Sequence, residues 1–108
     1  MEIIFDLAKS SRNEAERQLS FNEAVNFNWD SAVIIEDKRF PYPEQRLIAT
    51  GFLGDRLHVL CFTRVNSDIR VISFRKTNLR EVKKYEQEIK KAKENEDFER
   101  KAANEPRW

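Results

Sequence analysis

The spacing of apolar residues changes period along the chain, and each change marks an element. Glu2-Ile3-Ile4-Phe5 is a short apolar run that predicts a first strand. From Asp6, a residue suited to cap a helix, Leu7, Ala8, Ala15 and Leu19 recur at helical spacing and predict a helix to about residue 18. Ser20-Phe21-Asn22-Glu23 has the form of a capping box and predicts a second, short helix carrying Phe21, Ala24, Val25 and Phe27. The β-branched run Ser31–Ile35 predicts a strand, followed by the proline-flanked loop Asp37–Pro43. Three further strands are predicted at 45–52, 57–64 and 69–75, separated by turns at Leu53-Gly54-Asp55-Arg56 and Val65-Asn66-Ser67-Asp68. Thr77 or Asn78 caps a last long helix with Val82, Tyr85, Ile89 and Ala92 along one stripe, which Phe98 and Ala102 either continue or leave for a separate short helix. The expected fold class is α+β: a small antiparallel sheet of about four strands, two N-terminal helices and a long C-terminal helix.

Side chains alternate between the two faces of a strand, so the turns also predict a register. A two-residue turn at Gly54-Asp55 sets Arg46 across from Thr63. A loop from Val65 to Asp68 sets Thr63 across from Arg70 and Arg64 across from Ile69. One face then carries the row Arg46–Thr63–Arg70, and the other carries Leu47, Ala49, Leu60, Phe62, Ile69 and Val71 as a helix-covered core. A loop one residue longer would oppose Arg64 to Arg70, and like charges directly across a ladder are unfavourable. In this register His58 lies beside Gly51 and faces Arg75. It is then either a general acid or base beside a phosphate-binding arginine or a partly buried sheet histidine with no chemistry.

Composition narrows the chemistry. A length of 108 residues suits one domain, with a C-terminal stretch over 86–108 that reads as a charged helical extension of a domain over 1–85. Charged residues make up 36% of the chain but the net charge is only +1, which argues against a broad basic face and makes any RNA contact local. Cys61 is alone, so neither a disulfide framework nor a cysteine-rich metal site is expected. No apolar run approaches the length of a membrane span and residue 2 is acidic, so a cytoplasmic protein with no membrane partner is expected. No P-loop, zinc spacing, nucleophile elbow or dinucleotide fingerprint occurs, and no cofactor or metal is expected.

The remaining signal is in arginines at strand ends. Arg46 opens one predicted strand, Arg64 closes the next, and Arg70 and Arg75 bracket Val71–Phe74. A guanidinium is permanently charged and presents a planar fork of donors that fits phosphate oxygens. RNA supplies its own nucleophile, the 2′-hydroxyl, so a protein cleaves it by alignment, by neutralising charge at phosphorus and by moving protons. Glu44, Lys76, Glu81 and Tyr85 lie near the ends of these strands and on the last helix as candidates for proton transfer. Tyr42, between two prolines, suits stacking on a base, or else anchoring its loop. Each arginine has an alternative as an ion pair with one of the chain's 19 acidic residues. Phe27 and Trp29 are expected in the core, and Trp108 as mobile or as a contact for a partner.

Several of these stretches, in order, resemble the BrnT family of type II toxins, small ribonucleases with a RelE-like fold. The resemblance runs over about residues 3–85. It takes in Phe5-Asp6, Lys9, Asn13 and Ser20-Phe21-Asn22-Glu23-Ala24, then Asp37, Arg39, Tyr42, Glu44 and Arg46. Gly51-Phe52-Leu53-Gly54-Asp55-Arg56, Thr63-Arg64 and Arg70–Lys76 with Arg80, Glu81 and Tyr85 complete it. It implies an endoribonuclease that needs no metal, blocks translation, and acts on RNA, ribosome-bound mRNA included. It also implies a ribbon-helix-helix antitoxin held in a hetero-oligomer, with DNA contacted only through that antitoxin. Arg46, Arg64, Arg70, Arg75, Lys76, Glu81 and Tyr85 would form the active surface, and Lys9, Arg39, Tyr42 and Arg80 would contact RNA. The family usually carries Lys-His-Gly at the end of its first helix, where this chain has Glu16-Arg17-Gln18. That departure leaves a second reading, a degenerate toxin fold that serves as a protein-interaction module.

Overall fold

The computed structural model describes the backbone of residues 1–104 and side chains through residue 100. Trp108 and the side chain of Ala102 lie outside the described residues. The order is β1 (Ile3–Ile4), α1 (Leu7–Arg17), a 3-10 helix (Phe21–Asn26), β2 (Val33–Glu36), β3 (Leu47–Leu53), β4 (Arg56–Val65), β5 (Asp68–Lys76) and α2 (Leu79–Asn104). Two compact units divide between Thr77 and Asn78.

The first unit is built on a five-stranded mixed sheet in the order β1-β5-β4-β3-β2, rather than an antiparallel sheet of four. The strand that makes it mixed is β1, foreseen as a short strand over 2–5 and parallel to β5 through Ile3–Ile69 and Ile4–Arg70. Only two residues long, it is held at the turn as well: the Glu2 N–H donates to Asp68 Oδ1 at 2.8 Å, and the Ile69 N–H donates to the Glu2 carbonyl at 3.1 Å. Beyond this short strand the edge of β5 is finished by a side chain. Asn13 Nδ2 donates to the carbonyls of Phe74 at 2.9 Å and Leu19 at 2.8 Å, tying α1 to the sheet. α1 starts where the sequence suggests, with the Asp6 side chain accepting from the Lys9 N–H at 3.0 Å. It ends at Gln18, whose φ of 57° is left-handed.

The second N-terminal helix departs from the capping-box expectation. Ser20 Oγ accepts from the Asn22 N–H at 3.2 Å, but Glu23 turns instead to Asn26 Nδ2 at 3.2 Å, and the segment winds as a 3-10 helix. The reason is its apolar period. Phe21, Ala24 and Phe27 recur every three residues, matching a helix of three residues per turn, and all three are buried. They pack with Leu19 onto the sheet residues Ala49, Leu60, Phe62, Ile69, Val71 and Phe74. Edge-on aromatic contacts link Phe27 to Trp29 (4.9 Å) and to Phe74 (6.1 Å), and Trp29 to Phe62 (5.3 Å). Gly51 admits this packing, because a Cβ there would lie 2.7 Å from Phe27 Cζ.

Both turns form as the sequence suggests. Leu53 pairs with Arg56 around Gly54 (φ 64°), and Val65 pairs with Asp68 around Asn66 (φ 58°). Thr63 therefore pairs with Arg70 and Arg64 with Ile69. Past that point the ladder slips. Phe62 pairs with Val71 but Cys61 with Ser73, so Ile72 is an extra residue in β5, a β-bulge. Uninterrupted alternation from Val71 would bring Ser73 and Arg75 to the core. The bulge brings Phe74 there instead, with 0% exposure, opposite Leu60. It also moves the partner of His58 from the expected Arg75 to Lys76, while Gly51 stays on its other side.

The second unit is the helix α2, which runs without interruption through Phe98. Its start is a reciprocal capping box: the Asn78 N–H donates to Glu81 Oε1 and the Glu81 N–H to Asn78 Oδ1, both at 2.9 Å. From Lys90 to Arg100 every residue is exposed, with loose pairs Glu88–Lys91 and Asp97–Arg100 at 3.8 Å. Surface pairs of this kind add little stability.

Candidate functional site

The bulge decides that Arg75 joins Arg46 and Arg70 on one face. Arg70 pairs with Thr63 and Arg75 with Val59, and these two β4 residues are four apart, so both arginines stand on the same side of the sheet. Arg46 immediately precedes β3, whose first residue Leu47 pairs with Phe62; continuing that ladder puts Arg46 level with Thr63. One face thus carries the row Arg46–Thr63–Arg70, with Cys61 and Ser73 in the next row and Arg75 beyond.

Two atoms of this row are buried without a hydrogen-bond partner among the described residues: Arg46 Nε and Thr63 Oγ1. Stranding such a group costs about 1–3 kcal/mol, more where it is charged, so adjacent orphans on neighbouring strands are an unusual investment. The Arg46 guanidinium carbon lies 4.1 Å over the Tyr42 ring, a cation–π contact that holds it beside the loop. Among the described residues no carboxylate is within ion-pair distance of Arg46, Arg64 or Arg70.

The loop that holds Tyr42 is organised by Asp37. The Asp37 side chain is 1% exposed, and Arg39 grips it through Nε to Oδ1 and Nη2 to Oδ2, both at 2.8 Å. Tyr42 Oη donates to Oδ2 at 3.2 Å, and the Asp37 N–H donates to the Arg46 carbonyl at 2.8 Å. The hydrogen bonds from Arg39 hold the Asp37 carboxyl far below the usual carboxylate range, outweighing the opposing effect of burial, and Tyr42 adds to them. These contacts explain the Asp-x-Arg-x-x-Tyr spacing: the carboxylate seats the tyrosine, and the tyrosine seats Arg46. The loop encloses a recess of about 490 Å³ that Glu44 and Arg46 also line. Cys61 lies within the field of Asp37, Arg46 and Arg39, and burial pushes its thiol up.

A depressed carboxylate stabilises the fold above its unfolded value and loses that contribution as pH falls. Asp37→Asn is therefore expected to lower Tm at neutral pH, with the gap from the native protein closing once pH drops below about 3.9, toward the folded value. Thermal melts of both proteins between neutral pH and strong acid check this. A gap that stays constant with pH would mean the charge of Asp37 contributes nothing.

The other residues singled out from the sequence are spread more widely. Arg64, level with Ile69, is exposed at the end of β4 on the opposite face from Arg46 and Arg70. Lys76 pairs with His58 and also falls on that opposite face. Lys9 is exposed on α1, beside a shallow recess that reaches Ile72 and Ser73. Arg39 and Tyr42 are engaged by Asp37, although the Arg39 side chain remains 69% exposed. Arg80, Glu81 and Tyr85 belong to the first two turns of α2, in the second unit. Thr63 was foreseen in the row but not as a functional group; only its burial without a partner marks it. Asp37 was visible as a motif residue, but its task as the loop's anchor was not. Among the described residues no group of three or more His, Cys, Asp or Glu side chains is placed to hold a metal ion, and no helix is long and apolar enough to cross a membrane.

Neither the curated proteins nor the solved structures contain a match to this chain. A family model described as "Ribonuclease toxin, BrnT, of type II toxin-antitoxin system" does match, over residues 5–81. The matched stretch holds the Asp37 loop, the arginine row and the bulged strand, and it covers well over half of the chain. On that match the chain belongs to the BrnT family of ribonuclease toxins of type II toxin–antitoxin systems.

Proposed function

We propose that the protein is an endoribonuclease toxin that cleaves RNA on the face carrying Arg46, Thr63 and Arg70, and thereby blocks translation. The observation that carries this reading is the pair of orphaned buried donors in one row, Arg46 Nε and Thr63 Oγ1, next to the exposed Arg70. A phosphodiester offers acceptor oxygens and negative charge together. The stacked Arg46 would present its fork edge-on to one phosphate oxygen, Thr63 would donate to a second, and Arg70 would neutralise charge from the neighbouring strand. Arg75 would contact a flanking phosphate, while Arg64, on the opposite face, enters the active surface through the family resemblance alone.

Cleavage then follows from the substrate's own chemistry. The 2′-oxygen attacks phosphorus, the bond to the 5′-oxygen breaks, and a 2′,3′-cyclic phosphate and a free 5′-hydroxyl result. The proton leaves the 2′-hydroxyl and one returns to the departing 5′-oxygen. The arginines stabilise the extra charge on the five-coordinate phosphorus, a task that requires no metal. Glu81 and Tyr85 enter this scheme through the family resemblance, as do Lys9, Arg39 and Arg80 as RNA contacts. We further propose a ribbon-helix-helix antitoxin partner, a hetero-oligomer that meets DNA through that antitoxin, and a cytoplasmic place of action on mRNA, ribosome-bound mRNA included.

A second reading, a non-enzymatic module that holds an acidic segment of a partner protein, is favoured by one observation. Gln18 occupies the left-handed residue after α1, a conformation that suits glycine, and Arg17 precedes it; both stand where the family usually has Lys-His-Gly. Purified protein incubated with RNA, and separately with translating ribosomes, separates the two. Fragments ending in a cyclic phosphate in either setting support the toxin. Intact RNA in both, with the protein folded, supports the module.

A further inference from the structure

The sheet unit has a second concavity on the face opposite Arg46 and Arg70, at the end of α1. This cleft, about 620 Å³, is lined by Glu14, Arg17, Leu19, Glu23, Leu53, His58 and Lys76. That volume falls in the range of small-molecule sites and exceeds the need of a bare oxyanion.

His58 is the chain's one histidine, and it is 4% exposed. Its Nδ1 lies 2.8 Å from the Arg56 carbonyl oxygen. A carbonyl only accepts, so Nδ1 carries the proton and Nε2 of the neutral ring carries the lone pair. The edge of Phe74, 5.6 Å away, holds the ring in place. Nε2 has no partner among the described residues. Burial makes the imidazole harder to protonate, and the charges of Lys76 and Arg56 act in the same direction; only the Arg56 carbonyl opposes them. Lys76, directly across the ladder from His58, sets a cation beside the ring, and Glu14 and Glu23 share the lining. Among the described residues neither Lys76 nor Arg17 has a carboxylate within ion-pair distance.

We propose that this cleft is a nucleotide-binding site in which His58 and Lys76, with Arg17, receive a phosphate, while the nucleoside lies along Leu19 and Leu53 toward Glu14 and Glu23. The carboxylates of the lining suit the amino groups of a base, and the leucines suit its apolar faces. The same chemistry is met in a free nucleotide and in a nucleotide unit of RNA. Binding couples to a proton. A phosphate beside Nε2 favours the imidazolium, so affinity is greatest below the titration midpoint of His58 and declines as pH rises through it. The site does not depend on the arginine face being the one that cleaves RNA.

With a single histidine, the Cε1–H signal of His58 is unambiguous in a proton NMR titration. The full chain is titrated alone, with inorganic phosphate, with cytidine 3′-monophosphate and with guanosine 3′-monophosphate. At least one nucleotide is expected to move the midpoint upward by about one pH unit, at concentrations where inorganic phosphate moves it much less. Lys76→Ala and Arg17→Ala, both at exposed positions, are each expected to weaken nucleotide binding by about five- to tenfold. An unmoved midpoint overturns the proposal, and so does an equal response to inorganic phosphate, which would describe an anion site with no place for a nucleoside. Undiminished binding by both variants overturns it as well. Adding a short single-stranded oligoribonucleotide to the native protein separates the bound forms: a midpoint that rises with free nucleotide but not with this RNA limits the site to free nucleotides. The Arg46→Ala/Arg70→Ala protein is expected to keep the His58 response, so loss of RNA cleavage and loss of this site are read independently.

Discussion

Replacing Arg46 and Arg70 together by alanine is expected to reduce RNA cleavage by about a hundredfold or more and to lift growth arrest when the toxin is expressed without an antitoxin. Removing one preorganised donor at a developing oxyanion costs about 10²–10³ in rate, and these two arginines are assigned to the same phosphate. Stability should move far less than activity. Alanine at 46 removes the stacking on Tyr42, which costs about 0.5–1 kcal/mol. The same change removes a buried donor that had no partner, a group that disfavours the native state by about 1–3 kcal/mol. The two effects oppose each other, and Arg70 is exposed, so urea unfolding should give a midpoint close to the native one. Rapid cleavage by a well-folded double variant would remove the row from the active surface. The single variants extend the test: Thr63→Val keeps volume and removes the orphaned hydroxyl, and a loss of rate there without loss of stability places Thr63 against the same phosphate.

Phe74→Ala should be the most destabilising single change in the sheet, by about 3–5 kcal/mol. The side chain is 0% exposed, meets Phe27 at 6.1 Å and His58 at 5.6 Å, and sits opposite Leu60 at the centre of the core cluster. Truncation leaves a cavity between the 3-10 helix and the sheet that neither can fill without moving. The size of the loss also bears on the bulge, because Phe74 is internal only while Ile72 is accommodated as an extra residue. Deleting Ile72 is accordingly expected to cost much less than Phe74→Ala. The deletion closes the ladder from Phe62–Val71 directly to Cys61–Ser73 and leaves every later residue on its face. Should the deletion prove as damaging as Phe74→Ala in urea melts, Ile72 would be a packing residue in its own right and the account of the bulge would be wrong.

Much of this architecture was legible in the residues. Gly54 and Asn66 tolerate left-handed backbone, so both hairpins and their registers could be placed, and with them the row Arg46–Thr63–Arg70 and the core positions Leu47, Ala49, Leu60, Phe62, Ile69 and Val71. The Asp6 cap and the Asn78 start of the last helix rest on local hydrogen bonds that a few neighbouring residues contain entirely. What escaped were features set by contacts distant in sequence. β1 is too short to declare its direction, which depends on the far end of β5. The capping-box pattern at Ser20 was present, but the three-residue period of Phe21, Ala24 and Phe27 under the sheet overrode it.

Local chemistry by itself determined the turns, the alternation of strands and the presence of four strand-end arginines, because those depend on backbone preference and on period. Whether Arg75 joins Arg46 and Arg70 on one face was decided only in the folded sheet. Val71-Ile72-Ser73-Phe74 has no clean alternation, and the demand to bury both Val71 and Phe74 forced one residue out of the ladder and carried Arg75 to the side of Arg70 while sending Lys76 to that of His58. The stranded donors of Arg46 and Thr63 are likewise a product of packing: each is an ordinary polar side chain in the sequence, and only three-dimensional burial removes the water that would have satisfied it.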